Sequence, residues 1–224
     1  QKRPKPADYF SDWKQREALA EGMIPLVGRL CREKNVNCYI YGKPLVNRSV
    51  FEIMKDHRYV RQVEGNELSE KETYPIFSRL NQLDLGPAHI DVGRLAVGYS
   101  DQGIAQGLNL EQYIDRELGP LIGSKGKPLE KPQDVVLYGF GRIGRLMARI
   151  LIDKTGGGDC LRLRAIVVRK GKATNDLEKR ASLLRRDSVH GAFEGTIRMD
   201  EERQSFVANG NEIKVIYADA PDTI

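Results

Sequence analysis

The spacing of apolar residues divides the chain into two regions of different character. Up to about residue 130, apolar residues recur mainly at the spacing of amphipathic helices. The helical segments are predicted at 8–33, 47–57, 69–80, 87–97 and 110–118. Asn47 is predicted to cap the second helix, and Ser69 with Glu72 fits a capping box that opens the third. No strand pairing is evident here, so we predict an all-helical N-terminal domain.

After a Gly-, Pro- and Lys-rich stretch at 119–132, which is typical of a linker, the pattern changes. Asp134–Tyr138 is an apolar, strand-like run, and apolar residues at helical spacing continue to Lys154. Leu161–Val168 is a second strand whose end is apolar throughout, as expected for a parallel strand covered on both faces. These elements form one β-α-β unit.

The last stretch favours antiparallel strands. Strands are predicted at 195–199, 205–208 and 212–217, and Asn209-Gly210 is a tight hairpin turn between the last two. The fold class is therefore α/β: a helical N-terminal extension and linker (1–132), followed by a partial Rossmann-type domain with an antiparallel hairpin (133–224).

Composition removes several classes of function. The net charge of +5 over 224 residues is too small to indicate a nucleic-acid-binding surface. Three cysteines cannot form a disulfide framework, which favours a reducing compartment such as the cytoplasm. No apolar run approaches the roughly 20 residues of a membrane span. Because the chain begins without Met or an apolar signal segment, we expect it to be a fragment.

The glycine-rich motif after the first strand carries the candidate chemistry. Gly139, Gly141 and Gly144 form a GxGxxG pattern between a strand and an amphipathic helix, which is the context of dinucleotide-binding sites. The first glycine makes the turn, the second admits the pyrophosphate, and the third allows close packing of the helix. The backbone N–H groups around Arg142 and Ile143 are predicted to face the phosphates. A glycine turn without a ligand is the alternative.

The second strand ends without the acidic residue that usually binds the adenosine ribose. It ends at Val168 and continues with Arg169 and Lys170. An acid here would repel a 2′-phosphate, whereas Arg or Lys would pair with it. NADP is therefore expected to be tolerated beside NAD, and a strict preference stays open. Asp176 is the nearest acid, beyond a loop, where a helix-capping role is the alternative.

These motifs resemble those of glyceraldehyde-3-phosphate dehydrogenase. The carriers are the string GFGRIGR (139–145, including Phe140), Ala165-Ile166, and the string RDSVHG (186–191), in the order found in that family's cofactor domain. The resemblance covers about residues 133–224, and residues 1–130 resemble the helical extension of a longer bacterial subclass. It implies an NAD- or NADP-dependent, phosphorylating oxidation of glyceraldehyde 3-phosphate to 1,3-bisphosphoglycerate, in a homo-oligomer, usually a tetramer.

This chain departs from the family pattern at several positions. Tyr138, Val168 and Asp219 replace residues that the family uses around the cofactor. The family's Ser-Cys-Thr-Thr-Asn segment with its nucleophilic Cys is not in the sequence, and Cys160 has no comparable context. We therefore name no catalytic and no metal-binding residue and expect this chain to be inactive alone. Two hypotheses stay open: an enzyme fragment, or a non-catalytic nucleotide-binding and protein-interaction module.

Overall fold

The computed structural model describes residues 5–123, 133–154, 161–171 and 175–219, and these form two compact units. Unit 1 contains the described residues up to 123, and unit 2 contains those from 133 onward. Cys160, which the sequence analysis considered, lies outside the described residues. Among the helices of the described ranges, none combines the length and the apolar character needed to cross a membrane.

Five α-helices supply most of unit 1, and the first is the longest. They are α1 (Tyr9–Lys34), α2 (Val50–Glu64), α3 (Glu70–Gln82), α4 (Val92–Gly98) and α5 (Leu110–Glu117). Asp8 begins α1, because its carboxylate accepts a hydrogen bond from the N–H of Phe10 at 2.9 Å. One face of α1 then buries Ala20, Met23, Val27 and Leu30 in the unit's core.

The capping predictions for α2 and α3 have different outcomes. Ser69 and Glu72 form the predicted capping box of α3. The prediction of Asn47 as the cap of α2 is wrong, because Ser49 caps that helix in a second capping box with Glu52. Asn47 instead adopts a positive φ of 59° in the preceding turn. Asn favours both caps and such turns, so its presence alone did not decide between them.

The prediction that the N-terminal region is helical is confirmed, but the description "all-helical" needs a correction. Unit 1 contains a three-stranded sheet in the order β2-β1-β3, formed by Val36–Ile40 (β1), Lys43–Pro44 (β2) and Ala88–Asp91 (β3). β1 and β3 are parallel, so the start of the helix predicted at 87–97 is a strand. The sequence did not predict this sheet, because strands of five residues or fewer show little periodicity. In addition, β1 and β3 are about 50 residues apart in the chain.

Unit 2 has the predicted α/β architecture around a five-stranded mixed sheet. Its order is β4-β5-β10-β9-β8, and β4, β5 and β10 are parallel. The main strands are β4 (Gln133–Tyr138), β5 (Leu161–Val168), β8 (Ile197–Asp200), β9 (Ser205–Ala208) and β10 (Asn211–Tyr217), and the helices are α6 (Arg142–Lys154) and α7 (Asp176–Arg185). A small hairpin pairs β6 (Arg186–Asp187) with β7 (Gly191–Ala192).

The hairpin predicted at the end of the chain is present. β9 and β10 pair across Asn209 and Gly210, both with positive φ, as a two-residue turn requires. β5 is buried over its last four residues, which matches a parallel strand covered on both faces. A buried Arg149 on α6 donates to the carbonyls of Leu184 (2.7 Å) and Gly191 (3.1 Å), and so joins α6 to α7 and β7.

Candidate functional site

The carboxyl ends of β4, β5 and β10 lie together at one edge of the unit 2 sheet. Tyr138 stands opposite Val167, and Val168 stands opposite Tyr217. The N–H of Gly139, directly after β4, donates to the carbonyl of Val167 at 2.8 Å, which fixes the start of the glycine loop to β5. In parallel α/β sheets, ligands bind outside this edge.

The three glycines of the loop meet three different steric conditions. Gly139 has a φ of 95°, which side chains rarely adopt, so it makes the turn off β4. A Cβ on Gly141 would meet no atom within 4 Å, so the space above it is open. A Cβ on Gly144 would meet the Gly139 carbonyl oxygen at a distance too short for any real contact. These conditions fit a loop that admits a phosphate over Gly141.

The residues between the glycines divide into an anchor and an exposed surface. Phe140 is buried and its ring lies 6.2 Å from that of Phe206, so its side chain holds the loop on the core. Arg142 and Ile143 are exposed at the start of α6. The first backbone hydrogen bond of α6 runs from the N–H of Arg145 to the carbonyl of Gly141, at 3.0 Å. The N–H groups of the residues that precede Arg145 in the helix therefore have no acceptor within it. They present the positive end of the helix dipole.

Basic residues lie at both ends of β5. Arg162 donates to Asp134 (2.9 Å) at the beginning of the strand, which is the end opposite the glycine loop. Arg169 and Lys170 are exposed directly after its carboxyl end. Val168 is buried, and its carbonyl accepts from the N–H of Ala218 at 3.0 Å, so its side chain belongs to the core.

An ion pair that the sequence analysis did not name, although its spacing of four residues on a helix is a signal for it, lies at the same edge. Asp176, at the start of α7, accepts a hydrogen bond from Arg180 Nε at 2.6 Å, and both side chains are mostly buried. The same guanidinium donates to the carbonyl of Arg169 at 2.9 Å. Burial and the Asp176 carboxylate raise the pKa of the neighbouring Tyr217 hydroxyl. The N-cap residue of α7 is Asn175, which makes no side-chain capping bond, and Asp176 in the first turn forms the ion pair with Arg180.

Cysteine and histidine chemistry has little support in the described part of the chain. Burial raises the pKa of the Cys38 thiol to about 12 and also raises the pKa of Cys31. Neither thiol therefore ionises readily to the thiolate that acts as a nucleophile. The imidazole of His190 lies against Asp187, whose carboxylate also accepts the N–H groups of Val189 and His190 in a turn. No cluster of three or more metal-ligating side chains occurs in the ranges that the structure describes.

Comparison with known proteins agrees with this geometry. Residues 133–224 match the family model described as "Glyceraldehyde 3-phosphate dehydrogenase, NAD binding domain". This match covers the whole of unit 2, including the glycine loop and both helices beside it. It supports the binding of a nicotinamide dinucleotide by this part of the chain.

Relatives extend the similarity to the first region. A "Glyceraldehyde-3-phosphate dehydrogenase-like protein" of Pseudomonas aeruginosa (strain UCBPP-PA14) is 54% identical over 204 residues, which are 90% of this chain and 44% of that protein. "Glyceraldehyde-3-phosphate dehydrogenase 1" of Giardia intestinalis is 36% identical over 88 residues, 39% of this chain and 23% of its own. The chain thus spans less than half the length of these relatives. Its resemblance to glyceraldehyde-3-phosphate dehydrogenase is confirmed, and the first relative includes most of unit 1.

Proposed function

We propose, from the resemblance of residues 133–224 to the NAD-binding domain of glyceraldehyde-3-phosphate dehydrogenase, that this chain binds a nicotinamide dinucleotide at the glycine loop. The observation that carries the proposal is the contrast between Gly141, open above its Cα, and Gly144, pressed against the Gly139 carbonyl. Gly141 has neither a positive φ nor a neighbour that a Cβ would meet, so the fold of the loop does not by itself require glycine there. The fit of a pyrophosphate over exposed amides at a helix N-terminus supplies the physical reason.

Within this proposal the residues have separate roles. The N–H groups at Arg142 and Ile143 bind the pyrophosphate, since they lack acceptors in α6. Phe140 orients the loop from the core through its contact with Phe206. Arg169 and Lys170 lie where the adenosine ribose of a dinucleotide would be held, so their charges admit a 2′-phosphate. We therefore propose that NADP binds as well as NAD.

The experiment that tests dinucleotide binding is calorimetric titration of the chain with NAD and NADP, comparing wild type with Gly141→Ala. The added methyl group enters only open space, so the fold is kept while the phosphate is displaced. We expect both affinities to fall at least tenfold. Gly119→Ala is the matched control, because that glycine of unit 1 also has open space and no positive φ. Binding that is equal in wild type and Gly141→Ala would contradict the proposal.

In a protein of its relatives' full length, we propose that this domain serves the phosphorylating oxidation of glyceraldehyde 3-phosphate. The chain itself lacks the Ser-Cys-Thr-Thr-Asn segment, so catalysis requires further sequence. Formation of reduced cofactor from glyceraldehyde 3-phosphate and phosphate by the full-length protein is the test. A folded oligomer that binds the dinucleotide but forms no reduced cofactor would contradict this activity.

A second candidate is a non-catalytic nucleotide-binding and protein-interaction module. Tyr138 and Asp219 favour it, because both are exposed at the site edge and neither is the residue typical of the family there. Dinucleotide binding without turnover in the full-length protein is the result that this candidate predicts.

A further inference from the structure

Among the described residues at the carboxyl edge of the unit 2 sheet, Asp219 after β10 is exposed to solvent, whereas the carboxylate of Asp176 is mostly buried and is tied by hydrogen bonds to the segment where Arg169 and Lys170 begin. β5 ends at Val168 and α7 begins at Asp176, so the two residues are well separated in the chain. The start of α7 nevertheless lies at this edge of the sheet. One guanidinium joins the two, because Arg180 donates through Nε to Asp176 and through a terminal nitrogen to the carbonyl of Arg169. The side chain of Arg180 therefore bridges the Asp176 carboxylate and the backbone of Arg169.

The charge of this carboxylate is balanced by Arg180. The side chains are 13% (Asp176) and 17% (Arg180) exposed, so the pair is screened less by solvent and salt than a surface pair would be. Tyr217 on β10 completes the surroundings, with its hydroxyl beside the carboxylate. Without Arg180, a negative charge would stand next to the residues that are proposed to attract a phosphate.

NAD and NADP differ at the 2′ position of the adenosine ribose. NADP carries a 2′-phosphate there, whereas NAD carries a hydroxyl group. That hydroxyl can donate a hydrogen bond to a free carboxylate. An uncompensated acid at this edge would therefore disfavour NADP and leave NAD unaffected or improved. The basic residues alone do not decide the preference, because a balanced acid and an unbalanced acid give opposite results.

We propose that Arg180 is a specificity-determining positioning residue, which admits the 2′-phosphate by neutralising Asp176 beside Arg169 and Lys170. This inference rests on the proposed dinucleotide binding at the glycine loop. Arg180 acts through Asp176 and needs no contact with the cofactor itself.

The experiment measures the dissociation constants of NADP and NAD for the whole chain in wild type, Arg180→Gln, Asp176→Asn and the double variant. Arg180→Gln is expected to weaken NADP about fivefold to tenfold relative to NAD, which corresponds to one uncompensated charge several ångströms from the phosphate. Asp176→Asn keeps the wild-type ratio or shifts it toward NADP. The double variant returns the ratio to within about twofold of wild type, because it removes the carboxylate that Arg180 balances.

Lys179→Gln is the matched control, since it removes one positive charge from an exposed position of the same helix. It should leave the ratio unchanged at moderate salt. A merely structural role of Arg180 would weaken both cofactors equally, and no second substitution at Asp176 would restore the ratio. Either result, or an unchanged ratio in Arg180→Gln, overturns the inference while dinucleotide binding stands. Failure of wild type to bind both cofactors would overturn the proposed function and this inference together.

Discussion

The charged and polar groups of units 1 and 2 that attract attention differ in what surrounds them. In unit 1, buried Glu70 accepts from Arg16, and buried His57 lies between Ile53 and Thr73. In unit 2, the exposed segment Arg142–Ile143 and the exposed Arg169 and Lys170 stand at the open edge of the sheet. Polar groups whose partners are inside the protein hold elements together, whereas groups presented at an open edge can meet a ligand.

Other charged groups of unit 1 follow the same rule. Lys34 donates to the carbonyls of Asn81 (2.7 Å) and Leu83 (2.6 Å) at the end of α3. Asp91, beside a cavity of about 250 Å³, accepts the backbone N–H groups of Tyr41, Gly42 and Arg94. Of the two carboxylates that line the cavity, Asp91 thus accepts mainly from the backbone, and Glu117 is paired with Arg116. The comparison teaches that a charged group near a cleft indicates a binding site only where the group is not already hydrogen-bonded within the protein.

The largest effect expected from this comparison is the loss of Arg16. Arg16→Leu leaves the fully buried Glu70 carboxylate without its cation, and breaking such a buried pair costs about 3–5 kcal/mol of unfolding free energy. Urea unfolding followed by circular dichroism measures the change. Arg29→Leu, an exposed arginine on the same helix, should change stability by less than about 0.5 kcal/mol.

The double variant with Arg16→Leu and Glu70→Leu sharpens this test. Removing both partners removes the unpaired charge, so most of the stability is expected to return. If the single and double variants were equally unstable, the pair would have no special role and the contrast between the units would weaken.

A smaller effect is expected from Gly144→Ala in unit 2. The new Cβ collides with the backbone of Gly139, and overpacking of this kind costs about 1–3 kcal/mol. The shifted loop also loses dinucleotide affinity. Thermal unfolding and calorimetric titration measure the two effects. Gly141→Ala provides the comparison, with stability within about 0.5 kcal/mol of wild type and affinity lost. Equal stability of the two variants would show that Gly144 is not under steric constraint.

The smallest effect is a dependence of unit 1 on pH through His57. The Ile53 carbonyl can only accept, so His57 Nδ1 carries a proton (2.7 Å) and Nε2 of the neutral ring accepts from Thr73 (2.7 Å). Burial lowers the pKa of His57, against the attraction of Glu70 and Asp56 and in the same direction as the repulsion of Arg16. Below the ordinary value of 6.5 the unfolded chain binds the proton first, so stability falls as pH falls and levels off below the folded pKa.

Unfolding free energies measured from neutral to mildly acidic pH test this dependence. His57→Gln should remove the decline near the ordinary histidine pKa, whereas His190→Gln, at an exposed position of unit 2, should keep it. Titration of the His57 ring by nuclear magnetic resonance provides an independent measurement if His57→Gln does not fold. A His57 pKa at or above the ordinary value would contradict the prediction.

Local patterns predicted much of the fold, because the strongest signals are carried by neighbouring residues. The Ser69–Glu72 capping box, the parallel strand Leu161–Val168 and the Asn209-Gly210 hairpin are all present. The sheet of unit 1 was missed, since β1 pairs with a strand about 50 residues away and neither strand exceeds five residues. Tertiary pairing of that kind leaves no period in the sequence.

The sequence by itself determined the glycine loop, because the positive φ of Gly139 and the close contact of Gly144 both exclude side chains within one short segment. It also determined that Arg169 and Lys170 follow the second parallel strand. Only the tertiary structure decided which acid stands beside them and whether its charge is balanced. The spacing of four residues on α7 lets Asp176 and Arg180 pair. Their meeting with Tyr217 of β10 and with the carbonyl of Arg169 joins separate elements, and the order of residues does not specify that packing.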